Sequence, residues 1–186
     1  MGRFCLDEDK ATAKIKRLRL LLFDVDGVLT NGELVYGPGN AEYKRFNAQD
    51  GLGFVLAQKA GLKTGIITAR CSELVERRAK ELNLDCCFQG YEKVPAFEKV
   101  LAEHGLIDDE VCYMGDDLLD LALMRRAGFS AAPANARPEI VSSAHYVTST
   151  KGGEGAAREL IEVVLKARDA WEPLLKIFLS DCKAWI

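Results

Sequence analysis

Five aspartates in this chain stand where the backbone changes direction. Asp24 and Asp26, two residues apart in Asp24-Val25-Asp26-Gly27, close an apolar run at 18–23, and Asp116, Asp117 and Asp120 follow a second run at 111–114. Apolar runs of this length, ended by Asp or Gly, predict parallel strands buried on both faces. The carboxyl ends of such strands border the ligand crevice of a parallel sheet. Carboxylates delivered there from two strands repel one another unless a cation joins them. With no His or Cys beside them the donors are all oxygen, which suits Mg²⁺ with its few carboxylates, retained waters and substrate phosphate. One aspartate after a strand is most simply a turn or helix cap. Five at two strand ends are not so simply dismissed.

The elements that must carry these groups follow in regular alternation. Residues 33–36 and 41–46 flank Gly37-Pro38-Gly39-Asn40, a turn sequence that predicts a β-hairpin. Over 50–60 the apolar positions Leu52, Val55 and Leu56 recur at helical spacing, with Asp50 as cap and Gly61 closing the end. A strand at 63–68, a helix at 72–82, a strand at 86–88 and a helix at 94–104 lead to the strand at 111–114. Beyond it come a helix at 118–127, strands at 129–132 and 146–148, and a long helix from 154 to about 170. This alternation predicts an α/β fold with a doubly wound, Rossmann-like parallel sheet. The apolar tail at 171–186, with Trp171, Leu174, Leu175, Phe178 and Trp185, reads as a helix packed on its own domain or on a partner subunit.

Length and charge narrow the function classes. The 186 residues are 48% hydrophobic and 28% charged, enough for one domain spanning 1–186. A net charge of −3 provides no cationic surface for nucleic acid. Cys5, Cys71, Cys86, Cys87, Cys112 and Cys182 form no CxxC pair and read as free thiols. The charged N-terminus is unlike a signal peptide and no apolar run approaches membrane-spanning length, so a cytoplasmic location without membrane contact is expected.

In order along the chain, Asp24-Val25-Asp26-Gly27-Val28-Leu29-Thr30, Ile67-Thr68-Ala69-Arg70, Lys93 and Gly115-Asp116-Asp117-Leu118-Leu119-Asp120 resemble the four motifs of the haloacid dehalogenase superfamily. The resemblance covers roughly 18–159. It departs from the usual pattern at Ala69, where Gly is common, and at Asn135-Ala136-Arg137-Pro138. It implies a phosphatase in which Asp24 attacks phosphorus, dividing one hard hydrolysis into two easier steps. By the same resemblance Asp26 is the acid and then the base. Thr68, Lys93 and the backbone about Gly27 hold the phosphoryl oxygens. Mg²⁺ is implied between Asp24, Asp116 and the backbone carbonyl of Asp26, with Asp117 and Asp120 orienting waters and Lys93, or Asp117 on the metal itself.

Neither gap between these motifs has room for a cap domain, so the type implied is capless, with a hairpin flap after the first motif strand. The finer resemblance is to the branch acting on the 8-phosphate of 3-deoxy-D-manno-octulosonate, carried by 46–53, Gln89-Gly90 and the glycine-rich 152–159. It implies a homotetramer of lipopolysaccharide biosynthesis in which the hairpin and the 152–155 segment of adjacent subunits finish each active site. Arg70 and Arg78 are the candidates for the carboxylate of the sugar acid, because a guanidinium binds carboxylates bidentately. Two alternatives stay open. One is a nine-carbon substrate, ketodeoxynononate or neuraminate 9-phosphate; the other is a non-catalytic oligomerisation module.

Overall fold

The computed structural model describes residues 2–180, and the chain opens with a two-residue strand β1 (Arg3–Phe4) and a helix α1 (Glu8–Lys16). The sequence patterns above predict neither, although the signals for α1 are present. Asp7 accepts hydrogen bonds from the N–H groups of Asp9 and Lys10, acidic residues fill the first turn and Lys14 and Lys16 the last. Ala11 and Ile15, four residues apart, turn one stripe into the core.

Alternation then sets in with β2 (Leu20–Phe23), followed by β3 (Val35–Tyr36) and β4 (Glu42–Tyr43), which pair antiparallel as a separate hairpin. Next come α2 (Ala48–Lys59), β5 (Lys63–Thr68), α3 (Glu73–Glu81), β6 (Cys86–Gln89), α4 (Lys93–His104) and β7 (Val111–Met114). The chain finishes with α5 (Leu121–Arg126), β8 (Phe129–Ala132), α6 (Pro138–Ser143), β9 (Tyr146–Val147), α7 (Ala156–Ala167) and α8 (Trp171–Ser180).

Seven strands form one sheet in the order β1-β9-β8-β7-β2-β5-β6, parallel except where β1 joins β9. The fold is therefore α/β and doubly wound, and only the hairpin and α2 separate β2 from β5, so no cap domain is inserted there. Successive residues of β2 point to opposite faces. Leu21 and Phe23 pack with Phe54 of α2 and Leu160, Ile161 and Val164 of α7; Leu20 and Leu22 pack with Phe97, Val100, Leu123 and Ile140 on the other side. That is why this strand is apolar throughout. Phe23 is level with Ile66 on one side and Met114 on the other. The chain leaves β2 toward β5 and β6 and returns at β7, so the winding reverses between β2 and β7, where a crevice opens beyond the strand ends.

Two local expectations are corrected and one helix is added. α2 starts before Asp50: Asn47 caps it, accepting the Gln49 N–H at 2.8 Å, while Asp50 is buried in the first turn and accepts the Arg158 N–H at 2.8 Å. The helix expected at 118–127 divides into a 3₁₀ turn at Leu118–Asp120 and α5. α6, which Pro138 begins, was not expected; proline is well placed in a first turn, where its missing N–H costs nothing. In the tail, Trp171 lies beneath the cations of Arg158 and Lys166, 5.6 and 5.1 Å from its ring centre. Cys182, Trp185 and the rest of 181–186 lie outside the described residues. Among the described residues no helix is long and apolar enough to cross a membrane.

Candidate active site

Asp24 leaves β2 with its N–H bonded to the Met114 carbonyl at 2.9 Å, so its carboxylate is carried on the sheet itself. Oδ1 accepts the Val25 N–H at 2.7 Å, and Oδ2 faces Lys93 Nζ at 3.0 Å. Lys93, the first residue of α4, is only 3% exposed, which an ammonium tolerates only when paired. Its second partner is Asp120 Oδ1 at 2.6 Å. The same oxygen accepts the Tyr113 hydroxyl at 2.7 Å, and Asp120 Oδ2 accepts the N–H groups of Asp116 and Asp117 at 2.9 and 3.3 Å. Asp120 thus ties Lys93 to the turn that presents Asp116.

Carboxylate oxygens of Asp24, Asp116 and Asp120 lie within 4.8 Å of one another. Those of Asp120 are committed to hydrogen bonds, whereas Asp116 Oδ1 is buried with no partner among the described residues. Burial, then the charge of Asp120, pushes Asp24 up to about 6; burial, Asp120 and Asp24 push Asp116 up to about 7. Burial alone would favour a neutral Lys93, yet Asp24 and Asp120 raise it above its ordinary value. One ammonium does not balance three crowded carboxylates, and a buried acceptor without a donor fits a hard dication. Gly27 makes the room for it: at φ +92° a Cβ there would lie 2.0 Å from Asp116 Oδ2. Asp117 stands apart, exposed, with Oδ1 accepting the Leu118 N–H at 2.7 Å.

The Asp26 carboxylate is not among the three that converge and meets cations instead. Oδ1 accepts a hydrogen bond from Lys44 Nζ, just past β4, and Oδ2 lies 3.5 Å from Arg70 Nε. Arg70 Nη2 reaches Glu42 Oε1 and the Tyr36 hydroxyl, both at 3.4 Å, and the Ser72 hydroxyl donates to Glu42 Oε2 at 2.7 Å. The hairpin is therefore tied across the mouth of the crevice. Thr68 ends β5, next to β2 in the sheet, and is 2% exposed. The N–H groups of Val28, Leu29 and Thr30 all turn back to the Val25 carbonyl; those of Asp26 and Gly27 have no acceptor among the described residues.

Two expected positions fall elsewhere. Arg78 lies two turns into α3, which runs away from the strand ends; it packs over the Phe46 ring at 5.7 Å and reaches Glu81 Oε2 and the Asn47 carbonyl, both at 3.5 Å. The glycine-rich 152–155 segment, expected at a neighbouring subunit, packs on its own chain. A Cβ on Gly152 would meet the Gly27 carbonyl at 1.8 Å, and the Gly153 N–H donates to the Val28 carbonyl at 3.0 Å. The sequence patterns above point to neither Lys44 nor Tyr113. Glu42 and Lys44 alternate onto one face of a strand, and a tyrosine within an apolar buried strand needs a hydroxyl partner, so each left a trace in the sequence.

A family model for haloacid dehalogenase-like hydrolases matches residues 67–160. The chain belongs to that family, as one of its phosphatases. Its relatives include the 3-deoxy-D-manno-octulosonate 8-phosphate phosphatase of Yersinia pestis, 38% identical over 165 residues that span 88% of each chain. The same-named protein of Escherichia coli strain K12 is 40% identical over 157 residues, 84% of each. The Moraxella catarrhalis phosphatase of that name, solved in complex with magnesium, phosphate and a KDO molecule, has a TM-score of 0.90 at 35% identity. The match covers 92% of this chain and 99% of that one.

Proposed function

We propose that this chain hydrolyses 3-deoxy-D-manno-octulosonate 8-phosphate to the free sugar acid and phosphate, through an aspartyl phosphate on Asp24. The observation that carries the chemistry is the seating of Asp24, fixed on the sheet end, 3.0 Å from a buried Lys93 and beside the unpartnered oxygen of Asp116. The substrate follows from the relatives, whose named activity this is, at 38–40% identity over most of the chain.

Asp24 attacks phosphorus, the bond from phosphorus to the sugar oxygen breaks, and the departing oxygen takes the proton of the Asp26 carboxyl. Water then attacks phosphorus and gives a proton to Asp26, and the bond to Asp24 breaks to release phosphate. Through both steps the Lys93 ammonium, the Thr68 hydroxyl and the N–H groups of Asp26 and Gly27 hold the equatorial oxygens. Asp120 keeps Lys93 aimed. Mg²⁺ held by Asp24, Asp116 and the Asp26 carbonyl would offset the repulsion between anionic nucleophile and anionic phosphate. Arg70, at the rim, is the group suited to the sugar carboxylate; Arg78, packed against Phe46, is too far along α3 to share that role within one chain.

One domain carries all of this, in a cytoplasmic enzyme with no nucleic-acid partner. Leu34, Val35, Tyr36 and Tyr43 of the hairpin, with Leu118 and Leu119 near the crevice, are exposed apolar side chains. Clustering of this kind supports assembly into a homotetramer.

A panel of phosphate esters with Mg²⁺ present tests the reading through kcat/KM. The eight-carbon sugar acid phosphate should exceed the nine-carbon acids and the neutral hexose phosphates. Preference for a neutral hexose phosphate would overturn the substrate, and no release from any ester would overturn the chemistry.

A further inference from the structure

Lys44 has no place in the reaction as derived so far, yet its side chain is 2% exposed and its ammonium meets Asp26 Oδ1, with Glu42 Oε1 3.8 Å away. A lysine on a two-stranded hairpin would ordinarily keep its charge in water. Here the hairpin lays it across the crevice and ends it on the carboxyl that the proposed reaction uses for proton transfer.

The two oxygens of that carboxyl are not equivalent. Oδ1 holds Lys44 and lies 3.5 Å from the Thr30 hydroxyl. Oδ2, buried, makes no hydrogen bond among the described residues, although Arg70 Nε is 3.5 Å away. We propose that Lys44 is a positioning residue: by occupying Oδ1 it fixes the Asp26 rotamer and leaves Oδ2 as the oxygen that passes the proton to the leaving group. The hairpin then acts on the chemistry of its own chain, by orienting the acid. This rests on the reading of Asp26 as that acid.

The contribution of a general acid grows as the leaving group worsens, whereas nucleophile, metal and phosphate contacts serve all esters alike. For each variant, kcat/KM is compared on an alkyl phosphate, whose alkoxide must be protonated, and on p-nitrophenyl phosphate, whose phenolate leaves unaided. Because kcat/KM extends only through the first irreversible step, it isolates leaving-group departure. Lys44→Met keeps the apolar stem; its loss on the alkyl ester should exceed its loss on the aryl ester at least tenfold, and Lys44→Arg should recover most of the difference. In Asp26→Asn, adding Lys44→Met should cost no further alkyl-specific loss, since both act through one group. That double variant also removes the unpaired carboxylate, so it stays informative if Lys44→Met alone folds poorly. Equal losses on both esters in Lys44→Met, with Asp26→Asn still alkyl-selective, would overturn the role of Lys44 and leave the mechanism standing. Absence of alkyl selectivity in Asp26→Asn would overturn the acid assignment itself.

Discussion

Asp120 Oδ1 lies 2.6 Å from the Lys93 ammonium, and both side chains are almost sealed from water. Removing one partner of such a buried pair costs about 3–5 kcal/mol. In Asp120→Asn the relief of repulsion on Asp24 and Asp116 trims that loss, so about 3 kcal/mol is expected, a fall in Tm of roughly 6–12 °C for a chain of this size. Turnover should fall with it, because Lys93 loses its anchor. Calorimetry and kcat measured together check this; an unchanged Tm with normal turnover would mean that Asp120 neither supports the fold nor aims Lys93.

Asp24→Asn should abolish turnover without unfolding the chain, because the amide keeps the shape and loses the nucleophilic charge. Since Asp24 ionises against burial and the charge of Asp120, the metal-free variant should melt no lower than the wild type at pH 7.5. Activity within about tenfold of wild type would eliminate Asp24 as nucleophile.

Chelation should silence the enzyme and Mg²⁺ restore it, while Ca²⁺, which takes more ligands at longer range, should inhibit. Mg²⁺ at about a hundred times its Kd should also stabilise the chain by about 2.7 kcal/mol. A melting curve with and without Mg²⁺ reads this independently of activity. Full turnover after exhaustive chelation would remove the metal from the site.

Asp50 offers a pH test away from the catalytic cluster. Burial pushes it up to about 6 against the N–H bond from Arg158, and its Oδ2 is buried with no hydrogen bond among the described residues. A carboxyl raised in the folded state contributes stability that is complete below about 4 and lost as pH rises through about 6. Asp50→Asn keeps an acceptor for Arg158 and cannot ionise. It should therefore gain roughly 1–3 kcal/mol over the wild type at pH 8 and about half as much at pH 5, the scale set by about 1.4 kcal/mol per pKa unit. Melting at the two pH values decides; a difference independent of pH would contradict the assignment.

The sheet and the carboxylates at its strand ends were legible because each is written in a short stretch: an apolar strand, then Asp24-Val25-Asp26 or Gly115-Asp116 at its end. What the sequence hid depends on partners far along the chain. Asp50 looks like a helix cap until Arg158, 108 residues on, takes its oxygen. Lys44 looks like any hairpin lysine until Asp26, 18 residues back, meets it across the crevice. Arg78 looked suited to an anionic substrate because spacing along α3 says nothing of which end of the helix faces the site. For β1, two residues in an edge pairing with β9 carry too little periodicity to be read.

The contact of Gly152 with Gly27 also bears on the order in which the enzyme comes into being. The loop that follows Asp24 emerges early from the ribosome, but the glycines that brace it are made more than a hundred residues later, and β2 cannot be enclosed until β7 arrives. Closing such a long loop is slow, and folding during synthesis ordinarily favours N-terminal segments. In this chain the first of the four motifs to be translated is among the last to be completed, so a nascent or truncated product ending before α7 would carry Asp24 without the braced loop beside it.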